Sequence, residues 1–115
     1  MIGIEDFAKV ELKVAIVRSA ERIEGSEKLL KLQIEAGDVD ELGTPKMRQL
    51  VAGIGKAYAP ETLIGKRIVI IANLEPRSLM GFESQGMILA ATDIEKGLPV
   101  ILTTEQEVGA GSKIK

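Results

Sequence analysis

Two stretches of this chain alternate apolar and polar residues with a period of two. Val10, Leu12, Val14 and Ile16 are interleaved with Glu11, Lys13 and Ala15, and Leu30, Leu32, Ile34 and Ala36 with Lys31, Gln33 and Glu35. Successive side chains of a strand point to opposite faces, so this pattern puts one face on a core and the other toward water. A helix would spread the same residues around its whole circumference. Gly25-Ser26 lies between the two runs and reads as a tight turn, while Gly37-Asp38 ends the second and opens a polar connection, Val39–Pro45.

The rest of the chain continues in strands. Met47–Ala52 reads as a third, closed by the Gly53-Ile54-Gly55 bend, and Arg67–Asn73 and Gly86–Thr92 as a fourth and fifth. Pro60–Ile64 carries the one helix signal in the middle, with proline in the first turn, Glu61 after it and Gly65 to stop it. Ile4–Phe7 suits a helical turn, and Pro99–Thr103 and Ser112–Lys115 suit short extra strands. Five strands with a short helix between the third and fourth is the element order of an all-β, five-stranded OB-fold barrel. Closure would remove the exposed sheet edges of so strand-rich a chain, although the pattern alone also fits two sandwiched sheets. The expectation is one domain over residues 1–115, with the part from about residue 93 contributing to a dimer interface through Leu98, Val100, Ile101, Leu102, Val108 and Ile114.

Composition restricts the chemistry. The chain has no cysteine and no histidine, which removes Cys/His zinc sites, Cys–His pairs and Ser-His-Asp triads. No acid–base pair stands out among the remaining groups, so the expectation is a binding protein without catalytic residues, metal or cofactor. The longest apolar runs, Ile68–Ala72 and Met87–Ala91, fall far short of the ~20 residues of a membrane span. Glu5 and Asp6 stand where a secretion signal would be basic, and a cytoplasmic location is expected. The net charge of −2 hides a gradient: residues 46–92 hold six basic and three acidic groups, and the flanking parts are acidic. A locally basic middle in an acidic chain suits a confined anion-binding face.

That middle also holds the most polar loop, with Asn73, Arg77, Ser84 and Gln85 between two apolar strands. Its residues fall into segments that occur together and in order: Arg48-Gln49-Leu50-Val51, Tyr58-Ala59-Pro60-Glu61, Leu63-Ile64-Gly65-Lys66, Asn73-Leu74-Glu75-Pro76 and Glu83-Ser84-Gln85-Gly86-Met87. With Asp6–Leu12 and Glu27-Lys28-Leu29, they resemble the tRNA-binding domain family, which includes the C-terminal domain of methionyl-tRNA synthetase and free-standing structure-specific tRNA-binding proteins. The resemblance covers nearly the whole chain. It implies an OB-fold homodimer that grips tRNA by shape with little regard to sequence. It also implies service to an aminoacyl-tRNA synthetase, methionyl above all, as a separate subunit acting in trans.

The resemblance marks seven candidate tRNA-binding residues. Lys28, just past the Gly25-Ser26 turn, matches a proposed phosphate contact. Arg48 opens the third strand, and its fork suits phosphate or a stacked base. Asn73, Ser84 and Met87 match contact positions around Gly86, which allows close backbone approach. Arg77 is a basic residue of the loop, although Glu75, where the family tends to carry lysine, could pair with it. The glycine-rich Gly53-Ile54-Gly55-Lys56 lacks the hydroxyl residue and long helix of a phosphate loop and is set aside. The alternative from another class is a chaperone-like or protein-interaction module using Met80 and Met87 as adaptable apolar contacts. Abundant charge, a single asparagine and no cysteine also point to a thermophilic source.

Overall fold

The computed structural model describes residues 1–115. A short helix, α1 (Ile4–Phe7), precedes three long strands: β1 (Leu12–Arg22), β2 (Leu30–Val39) and β3 (Pro45–Ala52). After β4 (Arg67–Ile71) come six short ones: β5 (Arg77–Leu79), β6 (Phe82–Ser84), β7 (Met87–Ile88), β8 (Ala90–Thr92), β9 (Pro99–Ile101) and β10 (Lys113–Ile114). The main sheet is antiparallel in the order β3-β2-β1-β4-β7, with β10 added beside β1. It curls around a core of thirteen residues that includes Leu30, Leu32, Ile34, Leu50, Ile68 and Ile70, all fully buried. This is the all-β, OB-like architecture that the element order implies.

The alternation of β2 reads out directly, for Leu30, Leu32, Ile34 and Ala36 all line the core. In β1 the barrel core takes the other set, Ala15 and Val17, while Val14 and Ile16 are buried outside it with Val69. The reason is a second cover. The C-terminal chain crosses this outer face, where Arg67 Nε donates to Val108 O (2.7 Å) and Thr103 Oγ1 to Arg67 O (2.7 Å). Val14 also exchanges backbone bonds with Ser112 O (2.9 Å) and the Gly111 N–H (2.7 Å). A strand covered on both faces shows a continuous buried run, here Val14–Val17, and alternation cannot identify its inner side.

Three other expectations are corrected. The helix signal yields one 3₁₀ turn, Pro60–Thr62, because Gly65 leaves too few residues to propagate an α-helix. Leu63, just after it, is fully buried in the core. The loop between the fourth and fifth strands contains the β5–β6 hairpin. The fifth strand is broken: Met87 and Ile88 pair with β4, and Ala90–Thr92 then peels away to pair with β9.

Candidate nucleic-acid interface

The free edge of β3 is met by residues 83–86, largely through side chains. Ser84 Oγ accepts from the Val51 N–H (3.0 Å) and donates to Gly86 O (3.0 Å). The Gln85 N–H donates to Gln49 O (2.8 Å), and Gln85 Oε1 accepts from the Gln49 N–H (3.0 Å). The Gln49 amide also donates to Glu83 O (2.8 Å) and accepts from Gln33 Nε2 (2.9 Å). Ser84 is thereby buried at 4% exposure, and its hydroxyl stands in for a ladder bond. Gly86 has φ +139, and a Cβ there would sit 2.8 Å from Ile71 O, so only glycine lets this crossing close.

Arg48 lies on the core-facing side of β3, opposite Ile34 and in line with Leu50, so its side chain plugs the end of the barrel. Nε and Nη2 donate to the two carboxylate oxygens of Asp38, each at 2.9 Å. Nη1 donates to Ala72 O (2.7 Å) and Gln85 O (3.1 Å). The hydrogen bonds from Arg48 hold the Asp38 carboxyl below its ordinary value; partial burial opposes this, and the charges of Arg48, Lys13 and Lys46 add to the lowering. Asn73 is engaged as well: Oδ1 accepts from the Glu11 N–H (2.8 Å) and Nδ2 donates to Lys9 O (2.7 Å), which pins the N-terminal segment.

Arg77, Ser84, Gly86 and Met87 surround one open depression of about 510 Å³, together with Val51, Leu74, Glu75 and Pro76. Leu74 and Pro76 also wall a second, of about 290 Å³, which holds Lys46, Met47, Arg48 and Asp38. Five of the seven candidates therefore share one surface. Asn73 lies beside it, turned toward the N-terminal segment. Lys28 is displaced: its stem covers Gly53 beyond the end of β3, roughly 17 Å from Arg48 by strand rise. Arg77, Lys28 and Lys46 are exposed and make no ion pair, so Arg77 does not pair with Glu75.

Asp38, Gln49 and Lys46 were not singled out by sequence reasoning. Gln33 and Gln49 occupy outward positions on β2 and β3, a signal that strand parity carries. Gly37-Asp38 suggests a turn that ends the strand, but β2 runs on to Val39 and absorbs Gly37 (φ 82) in a register shift, which keeps Asp38 within the strand. Met80, at the hairpin tip, points toward the Gly25 turn, where a Cβ would meet its Cε at 3.4 Å, and Phe82 lies under the Lys31 ammonium at 4.5 Å, so the β5–β6 hairpin rests on the outer face of the sheet.

The model of the tRNA binding domain family matches residues 12–113. The chain is 51% identical over 113 residues to the methionine–tRNA ligase of Caldanaerobacter subterraneus subsp. tengcongensis, covering 98% of this chain and 16% of the ligase. It is 51% identical over 114 residues to that of Methanococcus aeolicus, covering 99% of this chain and again 16% of the ligase. The chain thus spans about a sixth of the length of these curated relatives. Among solved structures, a methionyl-tRNA synthetase related protein from Pyrococcus horikoshii superposes with TM-score 0.87 at 32% identity, covering 100% of this chain and 98% of that one. The chaperone CsaA of Bacillus anthracis superposes with TM-score 0.85 at 36% identity, covering 100% and 99%. With a family match over nearly all its length, the chain belongs to the tRNA binding domain family.

Proposed function

We propose that this chain binds tRNA by shape and phosphate contact, tolerant of sequence, and serves an aminoacyl-tRNA synthetase, methionyl above all, as an accessory subunit in trans. The observation that carries the reading is the cluster of unpaired cations, Lys46 and Arg77, around two adjoining depressions braced by a hydrogen-bonded loop, on a chain of net charge −2. Folded RNA hides base identity in its deep groove and offers phosphate, 2′-hydroxyl and shape, for which such a surface is adequate. Lys28, Arg77, Gly86 and Met87 are the direct contacts in this reading. Arg48, Asn73 and Ser84 belong to the site through the bonds that shape it. Phe7, Tyr58 and Phe82 are the only aromatic residues, so stacking contributes little. The role is binding without catalysis, in the cytoplasm, as a homodimer.

A gel-shift titration with bulk tRNA against duplex DNA, repeated at several salt concentrations, tests this. The expected result is preference for tRNA and affinity that falls steeply with salt, because phosphate contacts release counterions. Equal binding of both nucleic acids would overturn the shape-specific reading.

A second reading, a module that holds apolar peptide, is favoured by Leu74 and Met87, which line the depression and are 45 and 52% exposed, by Met80 at the hairpin tip (53% exposed), and by the likeness to the CsaA chaperone. Peptide binding through apolar contact would be insensitive to salt or strengthened by it.

A further inference from the structure

We propose that Arg48 and Asp38 are positioning residues for RNA recognition: the guanidinium, held by Asp38, clamps both flanks of the loop 73–85 and leaves phosphate contact to other cations. This rests on the tRNA-binding reading above and departs from the phosphate role that the resemblance implies for Arg48.

An arginine has five N–H donors, and four of those on Arg48 are engaged within the molecule. Two go to one carboxylate in a fork geometry, and its side chain is only 16% exposed. A phosphate reaching Arg48 finds one free N–H, and a forked contact would have to displace the carboxylate or the two carbonyls. The two carbonyls are informative. Ala72 immediately precedes Asn73, and Gln85 immediately precedes Gly86, so one guanidinium bridges the start and end of the loop that bears Arg77 and Ser84. Asp38 fixes the plane of that guanidinium from β2. Lys46 of β3 and Lys13 of β1 also face the carboxylate, and neither replaces the planar fork.

The two roles predict opposite signs for one substitution. If Arg48 were a phosphate contact held back by Asp38, Asp38→Asn would release it and tighten binding. If the pair is a clamp, Asp38→Asn loosens the loop and weakens binding of bulk tRNA, by about five- to tenfold. The slope of log affinity against log salt then stays that of the parent, since no counterion-displacing cation is lost. Arg48→Lys keeps the charge but cannot bridge the carboxylate and both carbonyls, so it is expected to lose a similar factor at unchanged slope.

The clamp has a readout without RNA. Amide hydrogen exchange at Gln85 in the free protein should speed up about tenfold in Asp38→Asn, with Val17 in the central strand unchanged. Tighter tRNA binding by Asp38→Asn, parental binding by Arg48→Lys, or unchanged exchange at Gln85 would each overturn the proposal. A parent chain that holds no tRNA would sink the functional reading instead, and the exchange measurement then decides the clamp by itself.

Discussion

Ser84 shows how much a single hydroxyl can carry here. It satisfies the Val51 N–H where no neighbouring strand offers a carbonyl, and it is almost fully buried. Removing it leaves that amide without a partner, so Ser84→Ala should lower unfolding free energy by about 1–3 kcal/mol in a urea titration. Thr104 is the opposite case, since its Oγ1 is buried with no partner. Thr104→Val removes an unsatisfied group at nearly constant volume and should raise stability by about 1 kcal/mol in the same assay. Asp38 makes stability depend on acid. Its folded pKa lies below the ordinary 3.8, so the Arg48 pair stabilises fully above that value. The contribution is lost as pH falls below 3.8 through the folded pKa, where the proton disrupts the pair. Thermal melts across this range should show a shallower acid-side fall in Asp38→Asn than in the parent.

At the level of elements, the β5–β6 hairpin turns on two residues, Met80 at φ 50 and Gly81 at φ 84. Both are left-handed, as a tight hairpin requires, and asparagine rather than methionine is the usual occupant of the first position. A non-glycine residue there costs about 1–2 kcal/mol, so Met80→Asn should stabilise the fold by about 1 kcal/mol, read from the urea midpoint. The side chain lost is half exposed beside the Gly25 turn, which makes the variant a direct test of whether Met80 serves binding as well. The C-terminal strap imposes another constraint. A Cβ on Gly111 would stand 2.9 Å from Gly37 Cα, and Gly111 has φ +87. Gly111→Ala should therefore cost about 1–3 kcal/mol and loosen the cover over Val14 and Val69.

Over the whole molecule, the C-terminal third divides its apolar residues. Ile101 packs on the core, while Leu98, Val100, Leu102 and Val108 keep 39, 50, 44 and 37% of their surface exposed. We expect this face to be covered in a dimer, which light scattering at micromolar concentration would detect as twice the chain mass; a monomer there removes the claim. A two-fold pair would double the cationic surface of an acidic chain and bring in effective concentration as a source of affinity. Each of Lys28→Ala and Arg77→Ala should then flatten the salt dependence of tRNA binding by about one unit per lost phosphate contact. Lys115→Ala, at the chain end, should leave it unchanged.

Period-two alternation in Leu30–Ala36 was enough to define a strand and its buried face, because that strand has one core to face. The order of strands and the linked segments from Arg48 to Met87 make the OB-like architecture and the family legible in the sequence. Local pattern could not say which side of β1 is the barrel interior, since its second cover arrives from residues about ninety positions later. Nor could it separate contact from scaffold among polar residues. Arg48 reaches carbonyls 24 and 37 positions away, and Asn73 reaches an amide 62 positions away. A side chain's type fixes which bonds it can make, and the sequence states that type. Whether those bonds are already satisfied depends on which distant backbone groups the curled sheet brings within about 3 Å, and only the tertiary structure decides that.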